Sequence, residues 1–489
     1  MFILRAIVLV LLLIRYRCLF VIGFLPVFPF NLFRMLYKPH SKKQANNFVA
    51  FLEKSGPLFI KLGQVLSTRI DIFSESYIQS LKNLRDQAKS NNKNILPEIF
   101  FKSFGTNINE VFQEISLNPI ASGSIACVYK GILKNKAPVI IKIIKPNTEK
   151  RFKQDLLILK ILFIITENLS KQAKISKPTQ LTSNLEAIMR LELDLRFEAA
   201  SADTLKENFA DDNDLYIPKI YWEYTAKDIL VEEWIDGISV GNVEELKKNN
   251  FSMVDIVRKI TKIFFYQALR DGFFHGDIHT GNIFVLKTGQ IALVDFGIMG
   301  KLDGNLRKYV GEVFMAFLSK DYKKAAKIHF DAGWVNPKYN IEDFTLACRS
   351  IVEQTMLINK ENVMLGKLLE QLFLITTKFE MEIQEELLIL QKNLLYLENI
   401  SRSLIPDQNM WLLSKDVIQS HMESQHTKMT YIVNEAKKHT APIINIYNLF
   451  HSYKTLLEIN NNLKNKSYKL NLLLTILCII IIVYIIIIK

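Results

Sequence analysis

Apolar residues recur along this chain with more than one period, and each period marks a different kind of element. From Met253 they fall at positions 253, 256, 257, 260, 263 and 264, which is one face of an α-helix. "SIACVYKG" alternates and "PVIIKII" is a short β-branched run, so residues 117–144 are predicted to form strands. "DILVEEWIDG" reads as a strand leading into a turn. "NIFVL", the turn "KTGQ" and "IALVDFG" predict a hairpin. Residues 41–90, 151–166, 181–209 and most of 302–460 read as helices. There is no internal repeat and no long Pro- or Gly-rich linker. A β-rich part is thus followed by a helical part, an α+β pattern. At their border lies a polar stretch, "HGDIHTGNIF", residues 275–284.

Both ends of the chain are apolar. "LLLTILCIIIIVYIIIIK" closes it, and Leu472 to Ile488 carries no charge. Such a run is long enough for a short spanning helix and apolar on every side, so residues 470–488 are expected to cross a membrane. Lys464, Lys466 and Lys469 precede it, and only Lys489 follows. The positive-inside rule then keeps the preceding domain cytoplasmic. At the other end, Arg5, Arg15 and Arg17 break up the apolar residues of 1–36, which fits a helix lying in the membrane interface or a buried apolar helix.

Composition narrows the function classes. The 489 residues are 49% hydrophobic and 23% charged, so the chain folds around a sizeable core. A net charge of +13 reflects either composition bias or attraction to an anionic surface. No zinc-finger spacing, RNP-like motif or basic-aromatic stripe points to nucleic acid, and no nucleic-acid partner is expected. Cys18, Cys127, Cys348 and Cys478 form no CxxC pair, which argues against a disulfide framework or structural zinc.

The polar stretch carries the chemistry. A hairpin brings its ends together, so Asn282 before its first strand and Asp295 after its second can converge. An amide oxygen and a carboxylate are hard ligands suited to Mg²⁺ bound to phosphates. Asp277 would stand beside them without ligating. Lys142, central in "VIIKII", offers a cation for phosphates, or else is an edge-strand solubility device. Glu198, in "LELDLRFEAASA", can hold it. Zinc on His275 and His279 would need a helix for their spacing, which Gly276 and Gly281 oppose.

A strand lysine, a helix glutamate, D-x-x-x-x-N and DFG in this order resemble the protein-kinase core. Further motifs resemble the UbiB family of atypical kinase-like proteins, linked to ubiquinone biosynthesis. "KLGQ" (Lys61 to Gln64) matches its K-x-G-Q motif, "ASGS" (Ala121 to Ser124) its nucleotide loop and "ELD" (Glu192 to Asp194) its E-x-D motif. "HGDIHTGN" matches H-G-D-x-H-x-G-N. The resemblance covers roughly residues 40–330.

It implies an atypical protein-kinase-like bilobal fold that uses ATP and Mg²⁺. The expected divisions are an interfacial segment at 1–36, a helical extension at 37–105, an N-lobe at 106–235, a helical C-lobe at 236–460 and the spanning helix at 470–488. Lys142 would meet the α- and β-phosphates and pair with Glu198. Asn282 and Asp295 would hold the metal, and Asp277 would act as base or orient the attacking group. Ala121, Ser122, Gly123, Ser124 and Val128 would line the nucleotide. Lys61 and Gln64 would cover it, with Glu192 as partner of Lys61, and Glu233 would meet adenine through backbone groups.

Two departures matter. Gly123 makes the loop more like that of an ordinary kinase, while Cys127 stands where the family has glutamine and reads as a small apolar filler. No A-P-E segment follows DFG, so the platform for protein substrates is missing. The resemblance therefore implies ATP hydrolysis or small-molecule phosphorylation. An alternative is an ATP-gated scaffold or lipid-handling protein that organises ubiquinone-biosynthesis enzymes. Expected partners are ATP, a membrane lipid or polyprenyl-quinone precursor, and other proteins of ubiquinone biosynthesis. A bacterial or organellar inner membrane fits as the location. Hydroxylase chemistry finds no flavin fingerprint and no 2-His-1-carboxylate triad.

Overall fold

The computed structural model describes residues 2–18, 42–66, 75–82, 84, 95–116, 118–169, 178–358, 375, 378–381 and 384–406. The expected spanning segment at 470–488 lies outside them. Among the described residues, no helix is long and apolar enough to cross a membrane.

The chain opens with helix α1 (Phe2–Arg15), then α2 (Lys42–Ser55), α3 (Pro57–Leu66), α4 (Glu75–Lys82) and α5 (Ile95–Phe104). A five-stranded antiparallel sheet follows. Its strands are β1 (Phe112–Ile115), β2 (Ala121–Ser122), β3 (Ala126–Leu133), β4 (Pro138–Ile144) and, after three helices and a short strand β5 (Leu215–Tyr216), β6 (Ile229–Glu233). The order is β1-β3-β4-β6, with β2 added on β3. Alternation of side chains gives this sheet two distinct faces. On one, Cys127, Tyr129, Val139, Ile141, Ile143, Ile229 and Val231 pack with Leu96 and Phe100 of α5 into one buried cluster. Cys127 is fully buried there, as a small apolar filler would be. The opposite face carries Val128, Lys142 and Glu232 and looks onto the site.

The three intervening helices are α6 (Thr148–Leu169), α7 (Pro178–Glu192) and α8 (Leu195–Asn208). Beyond β6 come β7 (Gly237–Ser239), α9 (Val243–Lys248) and α10 (Met253–Phe265). The periodicity read from Met253 is confirmed: Ile256, Val257, Ile260, Ile263 and Phe264 are all buried. This helix runs into a π-helical turn, Tyr266–Asp271, that the periodicity did not predict. Strands β8 (Phe273–His275), β9 (Ile283–Leu286), β10 (Ile291–Leu293) and β11 (Met299–Lys301) form two small sheets, ordered β5-β10-β9-β7 and β11-β8. The predicted hairpin is β9–β10, and Gly289 supplies its left-handed residue at φ 79°. Among the described residues, four helices follow: α11 (Gly304–Leu318), α12 (Tyr322–Asp331), α13 (Ile341–Ile358) and α14 (Glu385–Leu404). Helix α11, capped by Asp303, begins seven residues after Gly297.

Helix α1 is neither wholly buried nor free. Arg5 reaches inward to Asp155 of α6 at 2.6 and 2.8 Å and also meets the Ser55 carbonyl. Leu9 is buried beside it, while Leu4, Ile7, Val8, Val10, Leu11 and Ile14 are exposed. Asp155 is fully buried, so its charge depends on this partner. Asp155→Ala strands the Arg5 guanidinium and should cost about 3 kcal/mol of stability, read from denaturant unfolding. A loss below about 1 kcal/mol would show that α1 is not anchored through this pair.

Candidate active site

Lys142 is placed by the register of the sheet. It pairs with Val128 on one side and Leu230 on the other, and its side chain leaves the core face between them. Its Nζ bonds Glu198 Oε1 and Asp295 Oδ1, each at 2.8 Å. Burial opposes the ammonium charge, but the two carboxylates outweigh it and raise the Lys142 pKa. Lys142 therefore joins strand β4, helix α8 and the segment after β10.

Glu198 is held by the N-terminus of α8, where Asp194 caps the helix through the Arg196 amide at 3.2 Å. The E-x-D motif thus divides its labour. Glu192 ends α7 and forms an ion pair with Lys61 of α3, the partnership expected of it. Asp194 begins α8 and so positions Glu198. In "KLGQ", a Cβ on Gly63 would lie 2.4 Å from Leu84 and 2.7 Å from Leu52, so glycine lets α3 pack closely there. Gln64 lies one turn beyond Lys61 on α3, half-buried.

Asn282 and Asp295 meet as the hairpin predicts. Ile283 pairs with Leu293, and the Val294 amide donates to the Asn282 carbonyl at 3.1 Å. Asp295 has φ 65°, a left-handed backbone rarely adopted without glycine and often found at functional sites. The Lys142 ammonium beside it holds its pKa well below the usual carboxylate range. The donor set of one amide oxygen and one carboxylate fits Mg²⁺ whose remaining ligands come from phosphates and water.

The loop of residues 275–282 is fixed from inside. The Asp277 amide donates to His275 Nδ1 at 3.1 Å, and His275 Nε2 donates to the Val294 carbonyl at 3.1 Å. Both ring nitrogens of His275 are thus used in the loop, and burial lowers its pKa toward the neutral form. That arrangement is a scaffold, not a zinc ligand. Gln267, carried on the π-helical turn, accepts from the His275 amide at 2.9 Å. The Asn282 side chain donates to the Asp277 carbonyl at 3.1 Å. Gly276 is required by close approach: a Cβ there would lie 3.0 Å from the Ile298 carbonyl oxygen.

The loop of residues 121–128, expected to border a nucleotide, is a tight hairpin. Ala121 pairs with Val128 and Ser122 with Cys127, while Gly123 and Ser124 turn the chain. Lys145 closes it by donating to the Gly123 carbonyl. Glu233 departs in part from expectation. Its amide donates to the Lys219 carbonyl at 2.9 Å, and its carboxylate accepts from Tyr216 and from the Lys219 amide. The isolated bridge between Ile220 and Glu232 takes that backbone donor, so it is not offered to a base.

Three residues escaped the sequence motifs. Lys392 of α14 bonds Asp277 Oδ1 at 2.6 Å. Asn393 beside it donates to the His275 carbonyl at 2.6 Å and accepts from the Ile278 amide at 3.1 Å. Both lie far along the chain in an ordinary helical pattern, so only their polarity within an apolar face marked them. Burial works against an ionised Asp277, but the Lys392 ammonium outweighs it and lowers the pKa. The third is Glu232, on the Lys142 face because Ile140 pairs with it two positions from Lys142. It is buried, and its Oε2 has no hydrogen-bond partner among the described residues.

Burial, with the Glu198 charge adding to it, pushes the Glu232 pKa from 4.5 up to about 8. Folding therefore favours the neutral acid. The stability so gained is complete below the ordinary value of 4.5 and is lost as pH rises through about 8. Glu232→Gln stays neutral throughout. Its melting temperature should climb relative to wild type across that window and then hold a constant gap. A difference that does not vary with pH would show that Glu232 is solvated.

Known proteins share this architecture. Residues 83–329 match the family model of the ABC1 atypical kinase-like domain, and residues 348–409 match the UbiB helical domain. The chain is 35% identical over 378 residues to the "Probable protein kinase UbiB" of Marinobacter nauticus, covering 76% of this chain and 69% of that one. It is 35% identical over 395 residues to the protein of the same name from Histophilus somni, covering 79% and 73%. A solved Mycobacterium tuberculosis protein, Rv3197 in complex with erythromycin, has a TM-score of 0.53 at 21% identity, over 77% of this chain and 96% of that chain, a likeness of fold. Together with the K-x-G-Q, E-x-D and H-G-D-x-H-x-G-N motifs, these matches show that the chain belongs to the UbiB family of atypical kinase-like proteins.

Proposed function

We propose that this chain binds Mg-ATP and transfers its γ-phosphoryl group to water or a small molecule, in support of ubiquinone biosynthesis at a membrane. One observation carries the reading. Lys142, Glu198 and Asp295 converge from three separate elements, and the β9–β10 hairpin sets Asn282 beside them. A lysine with two carboxylates and an amide is the donor set that phosphates and a hard cation require.

The residues divide the work. Lys142 is shared between Glu198 and Asp295, so phosphate oxygens compete with Asp295 for its ammonium. Asp295 and Asn282 are the residues that would hold the metal. When bound, Mg²⁺ supplies positive charge to the phosphate oxygens. Asp277 orients the attacking hydroxyl or water and takes its proton. The Gly123 turn lets backbone amides approach phosphate, and Ala121, Ser122, Ser124 and Val128 border it. The Lys61–Glu192 pair and Gln64 belong to the helical cover. The short connection from Gly297 to α11 favours a small acceptor over a protein.

Membrane association is part of the proposal. The exposed apolar face of α1 adjoins α6, which exposes Leu157, Ile161, Leu162, Ile164 and Ile165. Apolar surface of this extent on neighbouring helices favours lipid contact. With the lysines before residue 470, it supports a kinase-like domain on the cytoplasmic side of a bacterial inner membrane, an organellar inner membrane being the alternative.

Thermal unfolding of the full chain in detergent micelles tests the site. Mg-ATP should raise the melting temperature of wild type, and Asp295→Asn should weaken the shift. No shift in folded wild type would contradict a nucleotide site. Asp277→Asn should retain binding while ATP turnover falls by about 10² or more. If cells carrying Asp277→Asn make ubiquinone as wild type does, turnover is dispensable and the ATP-gated scaffold takes its place.

A further inference from the structure

The γ-phosphate subsite lacks a cation of its own in the loop. "HGDIHTGN" contains no lysine or arginine. Lys142, which pairs with Glu198 and Asp295, serves the α- and β-phosphates at the other end of the chain of phosphates. Asp277 is an ionised, largely enclosed carboxylate at the point where the γ-phosphate must arrive. Two anions brought together in a partly dry site repel strongly unless a positive charge stands between them. His279 approaches the far oxygen of Asp277 only to 3.7 Å, beyond hydrogen-bonding reach.

Lys392 stands where the cation is needed. It comes from α14, 115 residues beyond Asp277, and its Nζ lies 2.6 Å from Asp277 Oδ1. Its side chain is 38% exposed, so the ammonium borders open space and is not sealed in the core. An ion pair so exposed contributes little to stability. The loop does not need it for anchorage either, since Asn393 already binds the His275 carbonyl and the Ile278 amide. Adjacent residues of one helix thus perform separable tasks. Asn393 fixes the loop backbone, and Lys392 holds a charge over its carboxylate.

We propose that Lys392 is a ligand of the γ-phosphate: in the nucleotide complex its ammonium bridges Asp277 and a γ-phosphoryl oxygen. The inference rests on the Mg-ATP reading of the site. It assigns a chemical role to the helix that matches the UbiB helical domain, which thereby completes the site for a nucleoside triphosphate over a diphosphate. ADP lacks the group that Lys392 touches, so the residue should affect the two nucleotides differently.

The test is the affinity of the full chain in detergent for Mg-ATP and Mg-ADP, by titration calorimetry or melting shift, in wild type, Lys392→Met, Lys392→Gln and Lys392→Arg. A charge-assisted phosphate contact corresponds to about a tenfold effect. Lys392→Met and Lys392→Gln should weaken ATP about tenfold while ADP affinity stays within about twofold. Lys392→Arg should restore most of the preference. If Lys392→Met does not fold, the comparison of Lys392→Gln with Lys392→Arg decides. An unchanged ATP-to-ADP ratio in the uncharged variants, even with both affinities lowered, overturns the proposal and leaves the nucleotide reading standing. Failure of wild type to bind either nucleotide removes both.

Discussion

A single ammonium group organises this protein. Lys142 lies between Glu198 and Asp295, and removal of either carboxylate would leave charge in a partly dry site without its partner. The triad also sets geometry. Strand β4 fixes the lysine, the cap of α8 by Asp194 fixes the glutamate, and Asp295, with its left-handed backbone, presents a half-exposed carboxylate to Lys142. Since Glu192 and Glu198 flank that cap, the same short segment carries the partner of Lys61 on one side and the partner of Lys142 on the other. The Lys61 pairing is thereby tied to the placement of Glu198.

Around the triad, polar atoms are buried at a cost that only complete pairing offsets. The loop of residues 275–282 meets this demand with donors and acceptors from distant elements. Gln267 comes from a π-helical turn, Asn393 from α14 and the Val294 carbonyl from the end of β10. Among the described residues, Glu232 and the Gln267 side-chain nitrogen are exceptions near the site. A carboxyl with an unpartnered oxygen is buried on the sheet face beside Lys142, and it remains neutral because ionisation there is unfavourable. Such unsatisfied groups are uncommon in folded proteins and tend to mark places where a ligand or water completes the pairing.

The N-terminal helix shows how a pattern can carry two readings at once. Arg5 interrupts an apolar run, which fits an interfacial helix, yet its guanidinium is turned inward to Asp155. The arginine docks one face, and the remaining apolar residues stay exposed. Both readings describe one helix because its two faces have different partners.

Much of the site was legible in the residues themselves. Short-range rules sufficed wherever the partners share one element or one turn. The hairpin spacing brought Asn282 to Asp295, and the β-branched run "VIIKII" gave the strand that carries Lys142, whereas the distant pairing of Lys61 with Glu192 came from the family resemblance. Helix α10 and the two glycines of the loop followed from local geometry in the same way. What the tertiary structure alone decided are contacts whose partners lie far apart in the chain and whose residue types are unremarkable. Lys392 and Asn393 sit in a regular helix, Glu232 in a regular strand and Gln267 in a turn that helical periodicity passes over. The backbone donor of Glu233 was claimed by Lys219 for a like reason, the pairing of strand edges in space. A sequence specifies which faces are apolar and where the chain turns, because those preferences are local. Which buried polar groups meet is settled only when packing sets the elements against one another.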